Sequence, residues 1–152
     1  MLVVVIVWYA RGGVILNHLF RRKTVEGGKL ALEWSCEGRT RATAEEVLAA
    51  VAAQFSALPQ KPNVLVGAPY LMRSDEAVVI VNGTLLMELW RIVVLAVRDE
   101  DAGDTMLLAH MGNVTTMDGV VPKLDKLEDL QRRTCATFER FVREVPSLHA
   151  QT

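Results

Sequence analysis

The sequence is poor in the groups that most often announce a function. It has two cysteines, Cys36 and Cys135, too far apart to match any metal-ligand spacing. A single disulfide between them stays open, but two reduced thiols suit a cytosolic-type chain better. Charge of one sign is also lacking. The formal net charge is −1, whereas phosphate binding needs a cationic excess, so no direct contact with nucleic acid is expected. The very apolar run Leu2 to Val7 is far too short to cross a bilayer. It lacks a basic stretch before it and a small-residue cleavage site after it, so it reads as a mature strand. Membrane association would be peripheral at most.

Local catalytic signatures are missing as well. There is no G-x-S-x-G elbow, no H-E-x-x-H, no Walker A loop and no dinucleotide fingerprint. Gly12-Gly13 and Gly27-Gly28 lack the lysine and following helix that a phosphate loop requires, and read as turn glycines. Asp99, Glu100 and Asp101 do not have the alternating oxygen ligands of a calcium loop, and read as a solvated turn. No cofactor and no metal is therefore expected. Catalysis would fall to histidine, where His18 and His110 are the only candidates, His149 being in the tail. An enzyme is the less favoured reading.

What is present is a core. Of the 152 residues, 51% are hydrophobic and 23% charged, which excludes disorder over most of the length and suits one domain. We place that domain at 1–146, with a frayed tail at 147–152. Valine and isoleucine dominate Met1 to Tyr9, and Arg11-Gly12-Gly13 breaks the run before Val14 to Phe20 resumes it, which predicts an N-terminal β-hairpin. Leu30, Leu32 and Trp34 alternate with wetter residues, which predicts a strand over 29–36. Thr43 and Glu46 form a capping-box pattern ahead of Val47, Leu48, Val51, Phe55 and Leu58, a helical stripe stopped by Pro59.

Beyond that helix the pattern turns extended. Short strands are expected at Asn63 to Val66 and at Glu76 to Val81, the latter covered on both faces, with Asn82-Gly83 as a hairpin turn. Thr84 to Val97 predicts one long bent strand or two with a bulge, and Thr105 to Met111 reads equally as strand or helix. A final helix opens near Pro122 and buries Leu127, Leu130, Thr134, Phe138, Phe141 and Val145, leaving Arg132, Arg133, Arg140 and Arg143 solvated. The short connections predict an α+β domain: a single mostly antiparallel sheet with an N-terminal β-hairpin, one central helix, and a C-terminal helix packed on it.

With no catalytic constellation, a binding module for other protein subunits is the expected function, within a homo- or hetero-oligomer. A candidate partner surface comprises the basic run Arg21, Arg22, Lys23 together with Trp34 and Trp90.

Two family resemblances narrow this. The stretch Val4-Val5-Ile6-Val7-Trp8-Tyr9-Ala10-Arg11-Gly12-Gly13-Val14-Ile15-Leu16 resembles the opening hairpin of longin (SNARE-like) domains. The helix ending at Leu58-Pro59 and the segment Arg91 to Asp101 resemble that family's helix and its last strand with an acidic exit loop. The resemblance implies a non-catalytic subunit of a tethering, adaptor or exchange-factor complex in membrane trafficking, cytoplasmic and peripheral on membranes. Residues 22–40 would be an insertion, and no heptad-patterned SNARE helix or membrane anchor follows. The competing resemblance is to the nuclear transport factor 2-like family, carried by Leu32 to Gly38 and Val78 to Leu85. It implies a small partner in nuclear or mRNA export, or a small-molecule enzyme with an Asp-His pair, and leaves nuclear pore or organelle open as locations. An accessory subunit of a large assembly is a third reading on either fold.

Overall fold

The computed structural model describes residues 28–116 and 120–144. The expected N-terminal hairpin, His18, the basic run Arg21 to Lys23 and the tail all lie outside the described residues. The described chain is α+β. A five-stranded sheet is built from β1 (Ser35–Thr40), β2 (Ala68–Arg73), β3 (Ala77–Gly83), β4 (Glu88–Asp99) and β5 (Asp104–Val114). Its spatial order is β1-β5-β4-β3-β2, and every pairing is antiparallel. Helix α1 (Ala44–Gln54) follows β1, and α2 (Leu124–Glu144) closes the described chain.

Both helices lie on the same sheet face, α1 over β3 and β4 and α2 over β1 and β5, and they touch each other. The residues they cover alternate along each strand as a pleated backbone demands. Trp90, Ile92, Val94 and Ala96 of β4 face inward with Val78 and Ile80 of β3 and Leu107 and Ala109 of β5. From above, Val47, Leu48 and Val51 of α1 and its C-cap Phe55 meet Leu127, Leu130 and Phe138 of α2. The side chains of Val47, Leu48, Val51 and Phe55 alone contribute roughly 6–12 kcal/mol of transfer free energy, as an upper bound.

The capping box forms as its sequence predicts. The Glu46 N–H donates to Thr43 Oγ1 at 3.2 Å and the Thr43 N–H to Glu46 Oε2 at 2.8 Å. A cap is worth about 1 kcal/mol, so packing holds the helix and the cap fixes where it starts. The helix ends at Gln54, with Phe55 as C-cap, ahead of Pro59. Arg133 of α2 supplies part of that ending: its Nη2 donates to the Gln54 carbonyl at 3.0 Å, and its guanidinium lies 4.8 Å from the Phe55 ring centroid. It is therefore engaged rather than solvated.

Three local expectations are corrected. Residues 28–32 form a helical turn, not a strand, with Gln131 Nε2 donating to the Ala31 carbonyl at 2.9 Å. Three alternating side chains are too few to set a period, and Ala31, not the exposed Leu30, faces the core. Asn63 to Val66 is a loop joined to Thr84 by one isolated bridge, and the strand follows it as β2. That strand accepts Pro69 because, among the described residues, it is the sheet's end strand, where a missing donor breaks no ladder. Third, Asn82 and Gly83 belong to β3, and the turn runs over Thr84 to Met87 with the Thr84 N–H donating to the Met87 carbonyl at 2.8 Å.

Gly83 is needed for space. A Cβ there would meet the Met87 carbonyl oxygen and lie 2.9 Å from Glu88 Cα, both backbone atoms that cannot swing aside. Gly83→Ala should therefore destabilise the fold by about 1–3 kcal/mol, read as a lowered urea midpoint at unchanged slope.

Candidate interaction face

The second face of the sheet carries no helix among the described residues. Its side chains follow from the register: the row Ser35, His110, Val93, Val79, Met72 crosses all five strands, and Glu37, Leu108, Leu95, Ala77 form the next. A third row joins Arg39, Met106 and Val97. Apart from its β1 end, this surface is largely apolar. Val79, Val93, Leu95 and Leu108 are half-buried. Val97 and Met106, facing each other across the β4–β5 pair, are 53% and 42% exposed. The signal for it was in the sequence: Leu89 to Val97 is apolar at eight of nine positions, so neither face of β4 could be polar.

Polar groups frame the face. Arg39 on β1 reaches Asp99 at 3.0 Å and Asp104 at 2.8 Å, pinning both ends of the β4–β5 turn. Asp99 also accepts the N–H groups of Asp101 and Ala102 at 3.2 Å, and Gly103, at φ 71°, completes the turn. The guanidinium of Arg39 holds the Asp99 carboxyl below its ordinary range, with those backbone donors adding to it. At the other end Arg91 pairs with Glu88 at 2.5 and 2.6 Å. Gly112 leaves room for the Arg91 stem, since a Cβ there would lie 2.5 Å from Arg91 Cγ. A groove of ≈ 360 Å³ runs along β1 and β5, lined by Glu37, Gly38, Arg39, Met106, Leu107 and Leu108.

The candidate residues distribute unevenly. His110 lies on this face, with Nδ1 2.9 Å from the Met111 carbonyl oxygen, a contact that places the ring proton on that nitrogen. Its neighbours across the strands are Val93 and Ser35, so the register sets no carboxylate directly beside it. Trp34 is half-buried against the core. Trp90, a candidate for the partner surface, is fully buried on the helix-covered side, where Nε1 donates to the Pro122 carbonyl at 2.9 Å. Its even-numbered partners Ile92, Val94 and Ala96 carry it inward with them. Among the described residues no group of three or more histidine, cysteine, aspartate or glutamate side chains could hold a metal ion.

Two polar features lie on the covered side. Cys36 of β1 and Cys135 of α2 are free thiols in hydrogen-bonding contact. Burial first, then the Cys135 thiol and the charges of Glu139 and Glu37, push the Cys36 thiol from 9.0 up to about 12. Asn82 is fully buried opposite Trp90, and neither its Oδ1 nor its Nδ2 has a hydrogen-bond partner among the described residues.

No protein-family model, curated protein or solved structure matches this chain. Among the described residues no helix is long and apolar enough to cross a membrane.

Two outcomes follow from the buried polar groups. The folded chain holds the Cys36 proton more tightly than the unfolded chain does. That contribution to stability is complete below about pH 9 and is lost as pH rises toward about 12. At pH 8 Cys36 should therefore resist iodoacetamide in the native chain and react once urea unfolds it, as peptide mass analysis would read. Asn82→Leu, close in shape and without an unpaired amide, should raise stability by about 1–3 kcal/mol in urea titration.

Proposed function

We propose that this chain is a non-catalytic protein–protein interaction module, one subunit of a larger assembly. The observation that carries the reading is the apolar sheet face centred on Val93, Leu95 and Leu108, with Val97 and Met106 exposed on it. An apolar centre with charged groups at its margin, here Arg39 and Glu37 on one side and Arg91 on another, suits a protein partner. Exposed apolar area of this kind is unusual on a chain that works alone. Among the described residues His110 hydrogen-bonds the Met111 carbonyl and has Val93 and Ser35, not a carboxylate, across the strands.

In its finer form the proposal is a longin-like subunit of a tethering, adaptor or exchange-factor complex, drawing on the resemblance of residues 4–16 and 91–101. The nuclear transport factor 2-like alternative draws on residues 32–38 and 78–85 and would substitute an export partner.

Affinity capture from the native source separates these. The intact chain should recover coat, tethering or exchange-factor subunits. The double variant Val97→Glu, Met106→Glu should lose them while melting at the same temperature. Undiminished recovery by the variant would remove this face from the interface. A variant that unfolds would mark the face as internal packing, which also defeats the proposal. Recovery of a nuclear-export receptor would replace the trafficking form.

A further inference from the structure

At the β3–β4 end of the sheet two loops stand side by side. The first, 63–67, carries Val64, Leu65 and Val66, and the second, 84–87, carries Leu85, Leu86 and Met87. All six side chains are exposed, Leu65 and Leu86 at 87% each. We infer that this paired loop tip inserts into the interfacial layer of a membrane bearing anionic lipid, independently of whatever binds the sheet face.

The backbone donors of the tip suit an apolar medium. In hydrocarbon an amide N–H must find its partner within the protein. Here one side chain per loop supplies most of them. Asn63 Oδ1 accepts from the Leu65 and Val66 N–H groups at 2.9 and 3.2 Å, and Thr84 Oγ1 accepts from those of Leu86 and Met87 at 3.3 and 3.2 Å. The Leu85 N–H donates to the Asn63 carbonyl at 2.9 Å, which ties the loops into one unit. Five of the six apolar residues thus enter with their donors already bonded.

Charge supports the same occupant. Lys61, two residues before Asn63, is exposed, and Lys123 Nζ donates to the Gly67 carbonyl at the base of the first loop. Glu88, at the foot of the second loop, is tied to Arg91. The collar therefore leans cationic below an apolar apex, as an interfacial anchor requires: side chains among the acyl chains, ammonium groups at the headgroups.

The test is flotation of the intact chain with vesicles of equimolar phosphatidylcholine and phosphatidylserine. The wild-type chain should co-float, and Leu65→Ser, Leu86→Ser should reduce the bound fraction about tenfold or more, the scale expected from returning two leucines to water. Both positions are solvent-exposed, so the variant should melt as the wild type does. In a Leu86→Trp variant, brominated acyl chains should quench emission that they leave untouched in the parent. Wild-type chain that stays unbound would overturn the inference, and so would a double variant that floats undiminished. Loss of a captured protein partner from the double variant, with no vesicle binding by the parent, would reassign the tip to a protein interface.

Discussion

The structure depends on one strand that is apolar on both faces. β4 lies in the middle of the sheet, with β3 on one side and β5 on the other. Its inward row, Trp90, Ile92, Val94 and Ala96, is the floor on which α1 rests, and α2 packs beside it over β1 and β5. Burying four such residues contributes several kcal/mol, against a net stability that is small for any domain. Its outward row includes Val93, Leu95 and Val97. The same strand therefore contributes to both the core and the opposite face, which no helix covers among the described residues.

Polar groups on the covered side act mainly to register the layers. The Thr105 hydroxyl donates to the Ala42 carbonyl at 2.7 Å, and the Thr40 hydroxyl accepts from the Ala42 N–H at 3.2 Å, so the β1–α1 connection is bound to β5. Gln131 fixes the 28–32 turn to α2, Trp90 fixes Pro122, and Arg133 fixes the end of α1. Gln131, Trp90 and Arg133 each donate to a backbone carbonyl that lies outside the sheet's strand ladders. Hydrophobic burial alone does not specify how far a helix slides over a sheet. These bonds do.

Asn82 is the exception. It lies at the irregularity between β3 and β4, buried, unpartnered among the described residues, and directly followed by the glycine on which the next turn closes. A cavity-forming or polar residue at such a position costs stability. The strand nevertheless continues through it to Gly83, whose missing Cβ leaves room for the Met87 backbone.

The sequence by itself determined the elements that rest on near-neighbour chemistry. Thr43 with Glu46 announced the start of α1, the stripe Leu127, Leu130, Thr134, Phe138 announced α2, and the short connections announced an antiparallel α+β sheet. It misread elements whose local pattern supports two outcomes, such as the brief alternation at residues 30–34 and the Asn82-Gly83 pair. Tertiary structure alone decided the rest: which row of β4 faces the helices, that Trp90 is core rather than surface, and that two loops twenty residues apart share one tip. These depend on contacts between residues distant in the chain. Period and propensity record only what a residue's neighbours do, so a strand apolar on both sides does not say which side will find a cover.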